Sequence, residues 1–153
     1  MRSSASGRSL LAGELSAMVK VLNTEIPGAR TRLDAMANQL VSAVNTTHRT
    51  GFTFNGNTIP GTAAGDFFAP GSVTAPVTAA TIALSSAVAD DPSKIASSGN
   101  ANAPTDNSVA QALSVLRSTD DTVTYTTSSG GTEKGSFLGF FRSLVTRIGI
   151  QTA

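Results

Sequence analysis

One apolar stripe constrains this chain more than any other feature. Taken at about 100° per residue, Leu15, Met18, Leu22, Ile26, Ala29, Leu33, Met36, Ala37, Leu40 and Val44 fall within an arc of about 100°. That is the width expected of a helix resting on a core. Lys20, Arg32, Asp34, Asn38 and Gln39 lie away from it. The pattern predicts a single amphipathic helix from about Leu11 to Arg49. Pro27 is the obstacle, because an interior proline costs about 3 kcal/mol and bends or breaks a helix. The stripe keeps its phase across Pro27, and the proline itself projects about 120° from it, toward solvent. A bend is therefore expected rather than a break.

Length turns this helix into a statement about shape. Forty residues at about 1.5 Å each reach roughly 60 Å. A compact domain of 153 residues has a radius of gyration near 15 Å. The helix does not fit inside such a sphere, so one elongated domain is expected over 1–153, with 1–10 flexible.

After Thr50 the periodicity stops and Gly, Asn, Pro, Thr and Ala take over. Asn55-Gly56 is a two-residue turn signal after Phe54. "TIALS", around Ile82 and Leu84, alternates like a short strand. In "DDPSKIASS" Asp91 suits an N-cap and Pro92 the first helical position. "SGNANAPTDN" reads as a loop, and Asp106 or Asn107 then caps a helix with Val109, Leu113 and Leu116 on one side. "TVTYTTSSGGTEKG" alternates around Val123 and Tyr125 and turns at Gly130-Gly131, a hairpin pattern. Ser136 caps a last helix whose Phe137, Phe140, Phe141, Leu144, Val145 and Ile148 recur at helical spacing. Phe67, Phe68, Phe137, Phe140 and Phe141 are the aromatic candidates for the core, and the last helix should pack on the first. The fold class expected is mainly α with small β elements: a long helix packed with a C-terminal helix, plus a short hairpin and Gly/Asn/Thr-rich loops.

Composition narrows the function. Charged residues are 14% of the chain and the net charge is +1, with the basic residues scattered from Arg2 to Arg147. The clustered footprint of a nucleic-acid binder is missing. No apolar run approaches the roughly 20 residues needed to span a bilayer. The N-terminal stretch lacks the apolar core of a cleaved signal peptide. With no cysteine, disulfides, thiolate zinc sites and a cysteine nucleophile are excluded together.

His48 is the only histidine. As a catalytic base it would need a nucleophile and an orienting carboxylate, and no GxSxG elbow is present. As a metal ligand it lacks a second histidine. The simpler expectation is a cation in the last helical turn, favoured by the negative end of the helix dipole, with Gly51 as the C-terminal cap. "NGNTIPGTAAGD", Asn55 to Asp66, has one acid and no closing glutamate, unlike a calcium-binding EF-hand loop. The glycines from Gly51 to Gly71 fit no dinucleotide or P-loop spacing. No catalytic, cofactor-binding or metal residue is assigned.

"LAGELSAMVKVLNTEIPGARTRLDAMANQLVSAVNTTHRTGFTFNGN", followed by "GDFF", resembles the flagellar hook-associated protein 1 family, the first junction protein between hook and filament. The positions that carry the resemblance are Asn45, His48, Gly51, Gly56, Gly65, Phe67 and Phe68, with "DPSKIASSG", "DNSVAQALSVL" and "FRSLVTRIGIQTA" following in family order. The resemblance covers nearly the whole chain from about Gly7. It implies a structural, non-enzymatic protein, secreted to the bacterial flagellum without a cleaved signal peptide. The implied partners are other axial proteins, hook and junction subunits, and an export chaperone for the full-length protein, with no nucleic acid and no membrane. Against the family pattern, the chain reads as an internal or C-terminal fragment without the terminal helical regions. With no long exposed apolar run in view, that fragment is expected to be monomeric. A flagellin-like or hook subunit is the alternative, and a small hydrolase using His48 a more distant one.

Overall fold

The computed structural model describes residues 4–56, 58–72, 74–119, 123–126 and 132–151. The apolar stripe forms one unbroken helical rod in three parts: α1 (Ser4–Lys20), a π-helical turn (Val21–Glu25) and α2 (Ile26–His48). Helix therefore begins ahead of the Leu11 expected from periodicity.

The π turn answers the question Pro27 raised. The Ile26 N–H bonds to the Val21 carbonyl, five residues back instead of four. Pro27, in the first turn of α2, has no N–H to offer, and its ring would press on the carbonyl four residues earlier. Widening the turn by about one residue opens that space. Phase is lost in exchange. Residues beyond the turn are rotated by roughly one 100° step from where an uninterrupted α-helix would place them. The continuous phase counted across Pro27 holds only for ideal α geometry and is corrected here.

The two halves of the rod live in different surroundings. Leu15, Met18 and Leu22 are each more than 60% exposed, and Val19, Val21, Ile26 and Leu33 are exposed as well. The expectation that the whole stripe rests on a core fails up to Leu33. From Met36 onward it holds. Ala37 and Val41 bury with Val77 against Phe68 and Ile82. Met36, Leu40 and Ala43 pack on Val123, Phe137 and Phe140. The core is thus two small clusters on two sides of α2. The exposed N-terminal stripe also removes the reason given above for expecting a monomer.

Strand β1 (Phe52–Thr53) pairs antiparallel with β2 (Thr62–Ala63). Asn55-Gly56 lies within the connecting loop, where Gly56 has φ of 63°, a left-handed conformation that costs glycine little. A two-residue hairpin there is corrected to this longer loop. "TIALS" forms no strand, only an isolated bridge of Leu84 to Phe68, because the Thr81 and Ile82 N–H groups turn back to the Thr78 carbonyl. A short α3 (Ser86–Asp90) is capped by Ser85. A 3-10 turn, Pro92–Lys94, starts with Asp91 Oδ1 accepting from the Ser93 N–H at 3.0 Å, the cap the sequence indicated.

Helix α4 (Ser108–Val115) buries Val109. Strands β3 (Val123–Thr126) and β4 (Thr132–Gly135) form an antiparallel pair with Val123 opposite Gly135. The Gly130-Gly131 turn lies outside the described residues. Helix α5 (Phe137–Gln151) begins at Ser136, whose Oγ accepts from the Gly139 N–H at 3.2 Å. Phe137, Phe140 and Leu144 are buried, whereas Phe141 and Val145 are half exposed. The aromatic stripe of α5 is therefore only partly core. Ile148 lies outside the residues whose side chains are described. Among the described residues, no helix is long and apolar enough to cross a membrane.

Candidate functional site: side chains of α2 that hold the coil

The long Gly/Asn/Thr-rich coil has little regular structure to satisfy its backbone, so its N–H and C=O groups need partners from elsewhere. Helix α2 supplies them. Asp34, Asn45 and His48 recur at spacings that bring them to one side of the helix, and each reaches a different part of the coil.

Asn45 is 3% exposed. Its Oδ1 accepts from the Phe67 and Phe68 N–H groups at 3.0 and 2.9 Å, and its Nδ2 donates to the Phe68 carbonyl at 3.0 Å. One amide thus replaces three groups of a missing strand. Opposite it, the same segment pairs with Ala83 to Ser85: Ala69 N–H donates to the Ala83 carbonyl and Ser85 N–H to the Phe67 carbonyl, each at 2.9 Å.

His48 is fully buried. The Ala96 N–H donates to its Nε2 at 2.9 Å. An amide can only donate, so Nε2 carries no proton. Nδ1 therefore bears the ring proton and donates to the Gly65 carbonyl at 2.8 Å. This is the neutral imidazole in its Nδ1–H form. The expectation of a cation at the helix end is corrected, since a charged ring would have no lone pair for Ala96. The ring also meets Phe67 edge-on, with centroids 5.5 Å apart, and Phe67 meets Phe68 the same way at 4.9 Å.

Gly51 lets this arrangement close. A Cβ there would lie 2.7 Å from the Ala96 Cβ and 3.1 Å from the Ser98 carbonyl. From this tight approach the Phe52 N–H donates to the Ser98 carbonyl at 2.8 Å, and Ala64 N–H donates to the Gly51 carbonyl at 2.9 Å. Arg49, rather than His48, carries the positive charge at the helix end, and its guanidinium pairs with Asp66 at 2.5 Å.

Two further grips were not read from the sequence. Asp34 Oδ1 accepts from the Ala79 N–H at 2.9 Å. The Gln39 amide brackets Thr124: the Thr124 N–H donates to Oε1 at 2.5 Å, and Nε2 donates back to the Thr124 carbonyl. Gln39 so behaves as a neighbour of β3, which no local pattern announces. Beyond α2, buried Ser98 and the Asp106 carboxylate organise the loop before α4. Asp106 Oδ2 accepts from the Gly99 N–H and from the Ser108 hydroxyl, both at 2.7 Å. The Ser108 hydroxyl first, and then the Gly99 amide, hold the Asp106 carboxyl below its usual value of 3.8.

Asn45, His48, Gly51, Gly65, Phe67 and Phe68 therefore converge, whereas Gly56 stands apart in its loop. Both nitrogens of His48 are engaged by backbone, which leaves neither for proton transfer or metal ligation while the coil is docked. Among the described residues, no three His, Asp or Glu side chains gather as a metal site.

Residues 2–68 match the family model described as the flagellar hook-associated protein FlgK helical domain. This segment is similar to the helical domain of that family. The match covers somewhat under half of the chain and ends at Phe68, the last residue that Asn45 grips. It thus takes in all six of these convergent residues, with their partners Ala96 and Ser98 contributed from beyond it. No curated protein and no solved structure matches the chain.

Proposed function

We propose that this chain is a structural subunit of the junction between flagellar hook and filament. It works outside the cell, reaches its place through the flagellar secretion apparatus without a cleaved signal peptide, and carries no catalytic, cofactor or metal site. Its partners are hook and junction subunits, with an export chaperone before assembly, and neither nucleic acid nor membrane. The FlgK-type match over residues 2–68 carries the reading. Supporting it, Asp34, Gln39 and Asn45 of α2 hold backbone, as architecture requires, and His48 is sealed between two backbone groups.

The test is placement. An epitope-tagged chain expressed in a flagellated bacterium lacking its own FlgK should be found by immunogold labelling at the distal end of the hook. Label along the filament would favour a flagellin-like subunit, and label along the hook a hook subunit. Retention inside the cell would overturn the reading.

A further inference from the structure

We infer that Val21–Gly28 is a mechanical joint, about which α1, exposed from Ala12 onward, pivots relative to the anchored half of the rod. Three features meet there. The hydrogen-bond ladder changes from four-residue to five-residue spacing, with Ile26 N–H bonded to the Val21 carbonyl. Pro27 withdraws one donor from the next turn. Thr31 Oγ1 then donates to the Pro27 carbonyl at 3.0 Å, a back-bond of the kind that bends helices. π turns and prolines are both causes of sharp helix kinks, and here they adjoin.

Packing covers little of this segment, in which Glu25 and Gly28 are only partly buried. Val21, Leu22, Asn23, Thr24, Ile26 and Pro27 are all exposed, and a Cβ on Gly28 would meet nothing within 4 Å. Asp34 ties the rod to the coil through the Ala79 N–H. A segment with a weakened ladder and few buried contacts sits at the low end of local stability. The pivot is thus confined to one place, because α2 downstream is pinned by Gln39, Asn45 and His48.

The chain has no cysteine, so two can be introduced cleanly for spin labels. Ser16 and Asn38, both exposed, lie equally far on either side of Pro27. Pulsed electron–electron resonance on S16C/N38C should give a broad distance distribution, with weight below the roughly 33 Å of a straight helix. Adding Pro27→Ala should narrow it about twofold and centre it near that value, while the helical circular dichroism is unchanged. Adding Gly28→Ala with Pro27 kept should narrow it less. Equal widths with and without Pro27, whether both narrow or both broad, would overturn the joint.

Discussion

Asn45 and His48 show how two side chains can stand in for a strand. Removing one partner of a buried pair leaves the other unsatisfied, at about 1–3 kcal/mol per group. His48→Phe keeps the ring volume and orphans the Gly65 carbonyl and the Ala96 N–H. Its cost should be about 3 kcal/mol, measured by urea unfolding, with the far-UV signal of the rod retained. A loss below about 1 kcal/mol would mean that these bonds do not form in solution. Long-range ¹⁵N–¹H spectra should also show the Nδ1–H tautomer of His48. The Arg49–Asp66 pair matters less, since its guanidinium is half exposed and such pairs contribute about 0–1 kcal/mol. Asp106 adds a dependence on acid. Its carboxyl is held below 3.8, so the unfolded chain takes up the proton first. The stability it contributes is present above that value and lost as pH falls through the lower folded one. Asp106→Asn should therefore flatten the acid limb of the stability curve, and an unchanged slope would refute the assignment.

Among the elements, what was legible depended on whether the signal was local. The rod, the Asp91 and Ser136 caps, the last helix and the β3–β4 pairing follow from periodicity and from residues a few positions apart. The π turn was not legible, because hydropathy counting assumes the α period that the turn violates. The grip of Gln39 on Thr124 spans 85 residues, and a glutamine on a helix looks like any solvated polar residue. His48 was placed correctly at the helix end, but its charge state was misread, since only the arrival of Ala96 decides it. Gln39→Ala should leave the α2 core intact while the Thr124 amide exchanges at least tenfold faster by hydrogen-exchange NMR. No change would mean that β3 holds its edge without α2. Gly51→Ala tests the tight approach. With the Ala96 Cβ at 2.7 Å, the backbone must move, at a cost of about 1–3 kcal/mol.

For the whole molecule, a rod from Ser4 to His48 is roughly 67 Å long at about 1.5 Å per residue. X-ray scattering should find a maximum dimension above the roughly 40 Å of a sphere with a radius of gyration near 15 Å. A compact profile would mean that the arm folds back completely. Exposed Leu15, Met18 and Leu22 form an apolar patch of a kind that drives association. Light scattering coupled to gel filtration should show an apparent mass that rises with concentration, and Leu15→Glu with Leu22→Glu should abolish the rise. A parent chain that stays monomeric throughout would show the arm to be inert.

The grips of α2 also impose an order in time. Asn45 and His48 hold residues 17 to 48 positions further along, and Gln39 waits for a strand that comes later still. A chain made N-terminus first completes its helical template before the segments it must hold have emerged. Helix assembles in about a microsecond, so the template stands ready and each later stretch docks as it arrives. A circular permutant that begins at Ser72 would reverse that sequence. It should reach the same end state more slowly.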